Sequence, residues 1–158
     1  MARSIITLTD TNAPAGHYEF DLAYEGVEPT KYTAARLVGA FLQNQFYTAA
    51  LIRQADRYAE ENGISIHHAR EIDSATVTIT LTDTDELGHY TTNIDVKRSE
   101  DGGYYTGALL IADYILKLLP TEAFLTDMWA FADFIVSENE GASIENDTRS
   151  TPSDGTAD

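Results

Sequence analysis

The stretch Ile6-Thr7-Leu8-Thr9-Asp10-Thr11 occurs a second time, unchanged, as Ile79-Thr80-Leu81-Thr82-Asp83-Thr84. Two further matches follow in the same order: Gly16-His17-Tyr18 with Gly88-His89-Tyr90, and Tyr32-Thr33 with Tyr105-Thr106. The offsets are 73, 72 and 73 residues, and a weaker echo pairs Glu60-Glu61-Asn62-Gly63 with Glu138-Asn139-Glu140-Gly141. Matching blocks in one order at nearly one spacing indicate an internal duplication. A fold for this chain therefore has to be one that can be built twice.

Each copy reads as strand, strand, helix, helix. Ile6 and Leu8 alternate with Thr7 and Thr9, the period of a half-buried strand. Asp10 to Gly16 is turn chemistry, in which Asp and Asn bond their own backbone. Tyr18, Phe20, Leu22 and Tyr24 then share one side of a second strand. In the other copy Val77, Ile79 and Leu81 face inward, as do Tyr90, Ile94 and Val96 across the next turn. Thr30 or Thr33 can cap a helical run that reaches Glu61, with a kink or break expected near the polar Gln43-Asn44-Gln45. Tyr104 to Leu119 reads as a helix apolar nearly all round, to be covered by the sheet on one side and the last helix on the other. Pro120 ends it and Thr121 caps the last helix, to about Ser137.

A lone hairpin is marginal, so the copies are expected to share one sheet. The expectation is an α+β domain: a tandem ββαα repeat, a four-stranded antiparallel sheet with helices on one face, and pseudo-twofold symmetry. Residues 1–63 form the first repeat, 64–74 a linker and 75–137 the second, in one domain. Thr7, Thr9, Glu19, Asp21, Thr78, Thr80, Asn93 and Asp95 belong to the open sheet face. Residues 138–158 are almost wholly polar and read as a disordered acidic tail, since they bury too little apolar area to offset ordering entropy.

Composition narrows function mainly by exclusion. There are 26 Asp and Glu against 10 Lys and Arg, a formal net charge of −16. Direct nucleic-acid binding needs a cationic footprint, and anionic membrane surfaces repel such a chain. No apolar run has the length of a membrane span or of a signal core. With no cysteine there is neither disulfide nor thiolate site. The expected setting is the cytoplasm.

Candidate chemistry is sparse. His17 and His89 hold equivalent positions and would form an inter-repeat site if symmetry brought them together. Asp10 and Asp83 also correspond, and the simpler reading is a turn former in each hairpin. His67, His68, Glu71 and Asp73 are ligand types, but adjacent side chains point apart, which favours a linker. Gly102-Gly103 precedes a helix, with Glu100 and Asp101 opposing an anion there. No catalytic, metal or cofactor constellation is expected. The last helix shows two apolar stripes, and a spare one would be a partner surface: Phe124, Leu125, Met128, Trp129, Phe131 and Ile135.

The plan of Ile-Thr-Leu-Thr-Asp-Thr, Gly-x-Tyr and an apolar helix resembles small uncharacterised proteins of phages of GC-rich bacteria. That resemblance implies a phage-encoded protein acting in the host cytoplasm or in the virion, and implies no activity or site residue. The first functional reading is a non-enzymatic interaction or structural module that binds another protein or a second copy of itself. The alternatives are a small-ligand binder or enzyme with a site between the repeats, and an acidic inhibitor of a nucleic-acid-binding protein.

Overall fold

Apolar–polar alternation sets the frame of the molecule. In the computed structural model, which describes residues 2–11, 18–26, 31–65, 75–86, 88–98, 106–139 and 141–144, it produces strands β1 (Arg3–Asp10) and β2 (Tyr18–Glu25). A two-residue β3 (Lys31–Tyr32) leads into helices α1 (Ala34–Tyr47) and α2 (Ala50–Glu61). Then follow β4 (Ala75–Asp83), β5 (Tyr90–Arg98), α3 (Gly107–Leu118), α4 (Glu122–Glu138) and a two-residue β6 (Ser143–Ile144). The fold is α+β, with a four-stranded antiparallel sheet in the order β2-β1-β4-β5. The linker residues 66–74 and the tail from residue 145 onward lie outside the described residues.

β1 and β4 are the central strands, and Ile6 stands directly opposite Ile79 in their register. Ser4, Ile6, Leu8 and Asp10 are buried, as are Ala75, Val77, Ile79 and Leu81, whereas the threonines between them are only partly covered. Helices α1 and α3 pack on β1 and β4 over the buried side. α2 packs against both α1 and α3, and α4 packs against α1. The cover that α3 needs thus comes from α2, where the sequence suggested the last helix.

Helix ends follow local chemistry. The Thr33 hydroxyl accepts from the Arg36 amide at 3.4 Å, and the Thr121 hydroxyl accepts from the Phe124 amide at 3.2 Å. The long run from Thr33 divides into two helices, as the alternative to a kink. The break lies at Thr48–Ala49, past the expected site at Asn44. Ala49 takes the left-handed φ of 62°. The glutamines and Asn44 are accommodated because α1 is only half-covered there.

Two carboxylates bind backbone far from their own turns. Asp10 accepts from the Ala108 amide at 2.7 Å and from the Ala75 amide at 2.8 Å. Asp83 accepts from the Ala35 amide at 2.8 Å. Each carboxylate therefore serves the start of a helix in the other half of the chain, α3 for Asp10 and α1 for Asp83. That replaces the reading of these residues as turn formers. An anionic acceptor at a helix start satisfies an orphan N–H and meets the positive end of the helix dipole.

Three further expectations change. β5 is only partly covered on the side where Tyr90, Ile94 and Val96 were expected to face inward: Tyr90 is half-buried against the core, but Ile94 is 39% and Val96 46% exposed. α1 and α3 both reach β2, and no helix contacts β5 to a similar extent. The Phe46 ring of α1 stacks on Phe20 at 5.0 Å and meets Tyr18 edge-on at 5.6 Å, covering β2. Second, α3 begins at Gly107 instead of Tyr104. Third, the span 138–158 is not uniformly a tail. Glu138 closes α4, and β6 pairs in parallel with β3, Lys31 beside Ser143 and Tyr32 beside Ile144. Ala142 and Ile144 pack against the core.

Candidate functional site

Four helices leave a cleft between them. Its floor is Phe41 of α1 and Phe124 of α4, whose rings sit 5.3 Å apart at 52°. Both are buried because the helical period places them on the core-facing stripes of their helices. Tyr58 of α2 and Tyr114 of α3 form a wall, with ring centroids 5.6 Å apart. The rim carries Arg57, Glu61 and Asp127, all exposed. The volume of this open cleft is about 340 Å³.

The two tyrosines also fasten α2 to α3. Tyr58 donates to the Asp113 carboxylate at 2.7 Å, and Tyr114 donates to the Gln54 side-chain oxygen at 2.9 Å. A hydrogen bond to a charged acceptor contributes roughly 1.5–3 kcal/mol and a neutral one about 1 kcal/mol. Burial raises the Tyr114 phenol above its ordinary pKa, against a lowering pull from the Arg57 guanidinium. The Tyr114 phenol is thus a neutral hydrogen-bonding group at physiological pH. What the cleft offers chemically is an aromatic floor, donors and acceptors on one wall, and a rim with two carboxylates and one guanidinium.

The residues singled out from sequence are not gathered here. His17 lies outside the described residues, so the proposed pairing with His89 does too. His89 is exposed beside the β4–β5 turn, its Nε2 3.3 Å from a Glu86 carboxylate oxygen. His67, His68, Glu71, Asp73 and Gly102-Gly103 also fall outside the described residues. Among the described residues no cluster of three His, Asp or Glu side chains could hold a metal ion.

The six residues proposed as a partner surface on the last helix divide. Phe124, Met128 and Ile135 are buried, and Trp129 and Phe131 are half-buried against the core. Phe41 draws this stripe inward, since its ring meets Phe124 and Phe131 at 5.3 Å each. Leu125 alone of the six is well exposed, joined by Val136 a few turns on and by Phe134 elsewhere on the helix. The surface as first drawn is therefore mostly core. Sequence reasoning missed Arg57, Tyr58, Glu61, Tyr114 and Asp127. The signal for Tyr58 and Tyr114 was present, an aromatic with a polar tip on an otherwise apolar helix face, but nothing in the sequence said that they meet.

No family model, curated protein or solved structure matches this chain. Among the described residues, no helix is long and apolar enough to cross a membrane.

Proposed function

We propose that this protein is a non-enzymatic interaction module that docks a partner polypeptide with its helical side. The cleft receives one large apolar or aromatic side chain. The supporting observation is the Phe41–Phe124 floor beneath an open rim, lined from both halves of the chain. A partner side chain suits it better than a free small molecule, because the exposed rim leaves much of any occupant uncovered, while binding sites for small molecules usually bury most of the ligand. Glu61 and Asp127 on the rim, within a chain of net charge −16, favour basic residues beside the anchor. Leu125, next to Phe124 and exposed, extends the apolar surface beyond the cleft.

The same proposal includes the architecture behind the cleft: two ββαα repeats related by a pseudo-twofold axis through the β1–β4 pair. Its support is the Ile6–Ile79 register and the exchanged caps. Asp10 and Asp83 are 73 residues apart, and so are Ala35 and Ala108, the amides that they hold. Such an arrangement is what fusion of an ancestral homodimer would leave. A phage origin belongs to this proposal as well, resting on the resemblance of the repeated motif.

Selection from a displayed random peptide library tests the docking. Enriched peptides should share one aromatic or large aliphatic residue flanked by Lys or Arg. They should bind the cleft-filling variant Ala123→Trp at least about tenfold more weakly, with its thermal melt unchanged; equal binding to both proteins would discard the reading. The second reading is a small ligand in the same cleft, whose volume of about 340 Å³ is enough for a compact molecule. An NMR fragment screen that shifts Tyr58 and Tyr114 signals, with no peptide enriched, would favour it. An inhibitor that mimics nucleic acid needs carboxylates in rows. On the open sheet face Glu19, Asp21, Glu25 and Asp95 are confined to the outer strands with threonines between, which supports that reading least.

A further inference from the structure

The two outer strands of the sheet are defended very differently. β2 is covered on its helix side by Phe46, and its other side carries Glu19, Asp21 and Glu25. Any two-fold antiparallel pairing of more than three residues of β2 with another β2 sets carboxylates against carboxylates: Asp21 on Asp21, Glu19 on Glu25, Glu19 on Asp21 or Asp21 on Glu25, according to register. Like charges directly opposite destabilise a sheet pair, and charged edges are a normal guard against association. β5 is guarded less: Tyr90 is half-buried at one end, but Ile94 and Val96 lack a helix over them, and the open side carries one acidic and one basic residue, Asp95 and Lys97, instead of three carboxylates. Its nine residues pair with β4 alone among the described residues, and Ile94 and Val96 stand exposed opposite Ile79 and Val77.

We infer that β5 is a self-association edge, which pairs antiparallel with β5 of a second copy about a two-fold axis at Ile94. This register uses all nine residues from Tyr90 to Arg98. On the helix side it sets Ile94 against Ile94, Val96 against Thr92 and Arg98 against Tyr90. On the open side it sets Asp95 against Asn93 and Lys97 against Thr91. No like charges stand directly opposite. A shift of the axis to Asp95 opposes two aspartates, and a shift to Lys97 opposes two lysines. The result is a continuous eight-stranded sheet that gives both exposed aliphatics cross-strand neighbours, with the mode of edge-strand addition used in peptide recognition. Each chain carries −16, so repulsion works against the pairing and salt relieves it. This surface is separate from the helical cleft and stands or falls independently of it.

The chain has no cysteine, which permits a direct test. Light scattering should give twice the chain mass at high protein concentration. The dissociation constant should fall at least about threefold between about 20 mM and about 500 mM NaCl. The Ile94→Cys variant, with oxidised glutathione as oxidant, should form a disulfide-linked dimer at least about tenfold faster than Val96→Cys, because Ile94 meets itself and Val96 meets Thr92. Ile94→Glu should be monomeric with the melt of the dilute wild type. If that variant is unfolded, the two cysteine variants carry the test alone. A protein that stays monomeric at every concentration and salt overturns the inference. So does a dimer that persists in folded Ile94→Glu, or one that crosslinks faster through Val96→Cys.

Discussion

Asp10 is a short side chain on which three parts of the chain converge. It is 8% exposed, sits at the end of β1, and holds the first amide of β4 and the Ala108 amide in the first turn of α3. Asp83 holds one amide, at the start of α1, from a half-buried site. Removing a buried acceptor leaves its donors unsatisfied and costs roughly 1–3 kcal/mol per group. Urea denaturation should therefore show Asp10→Ala destabilised by about 2–4 kcal/mol and Asp83→Ala by about 1–2 kcal/mol. Tyr18 presents the reverse case, a buried hydroxyl with no hydrogen-bond partner among the described residues. Burial pushes its pKa well above the ordinary tyrosine value, and the Asp56 carboxylate adds to the rise. Burial raises Tyr24, Tyr90 and Tyr114 in the same direction. Above about pH 10 the unfolded chain releases these protons while the folded chain keeps them, so stability falls as pH rises; below that both states are protonated and nothing changes. Tyr18→Phe should stabilise by up to about 1 kcal/mol at pH 7 and lessen the decline above about pH 10, read from urea midpoints across that range.

At the scale of elements, the pairing of β3 with β6 is the least expected part of the fold. Two residues on each side make little sheet by themselves. They sit beside a built corner, in which Arg36 donates to the Lys31 carbonyl at 2.9 Å and lies 4.1 Å from the Tyr32 ring centroid. Tyr24 presents a second ring to the same guanidinium at 5.3 Å. Ile144 and Ala142 close the corner against the core, and burying a side chain of that kind contributes about 1–2 kcal/mol. Truncation after residue 139 should accordingly lower the melting temperature by several degrees relative to truncation after residue 145, by calorimetry. Equal melting temperatures would show that β6 contributes nothing to stability. The break at Ala49 follows the same logic of local cost against packing: a left-handed alanine is tolerated because it lets α2 turn back over α1 and α3.

For the whole molecule, the seam between the halves is shut off from solvent on its helix side. Ile6, Leu8, Val77, Ile79 and Leu81 are fully buried along the β1–β4 pair, and each of the two inner helices is capped from the opposite half. A hairpin with two helices would leave one edge of its inner strand unpaired and one helix start without its carboxylate. Residues 1–65 and 66–158, made separately, should each lack a cooperative melt, and mixing them should restore one by circular dichroism. A cooperative melt in either fragment alone would mean that the halves are independent.

What the sequence determined by itself is whatever depends on periodicity: four principal strands, helices in pairs, the side that β1, β2 and β4 bury, and the threonine cap at Thr121, with Thr33 one of two candidates for the first helix. Those follow from backbone geometry and from which side chains avoid water, and both can be read within a few residues. Only the tertiary structure decided that Asp10 and Asp83 cap helices in the opposite half. A carboxylate's partner is set by where the chain returns in space, and neighbouring residues say nothing of it. The same holds for α4: its two apolar stripes are alike as sequence, and Phe41 decided which one faces the core. The cleft between Tyr58 and Tyr114 and the partly bare face of β5 likewise arise from how far each helix reaches over the sheet, a property of packing that no local pattern encodes.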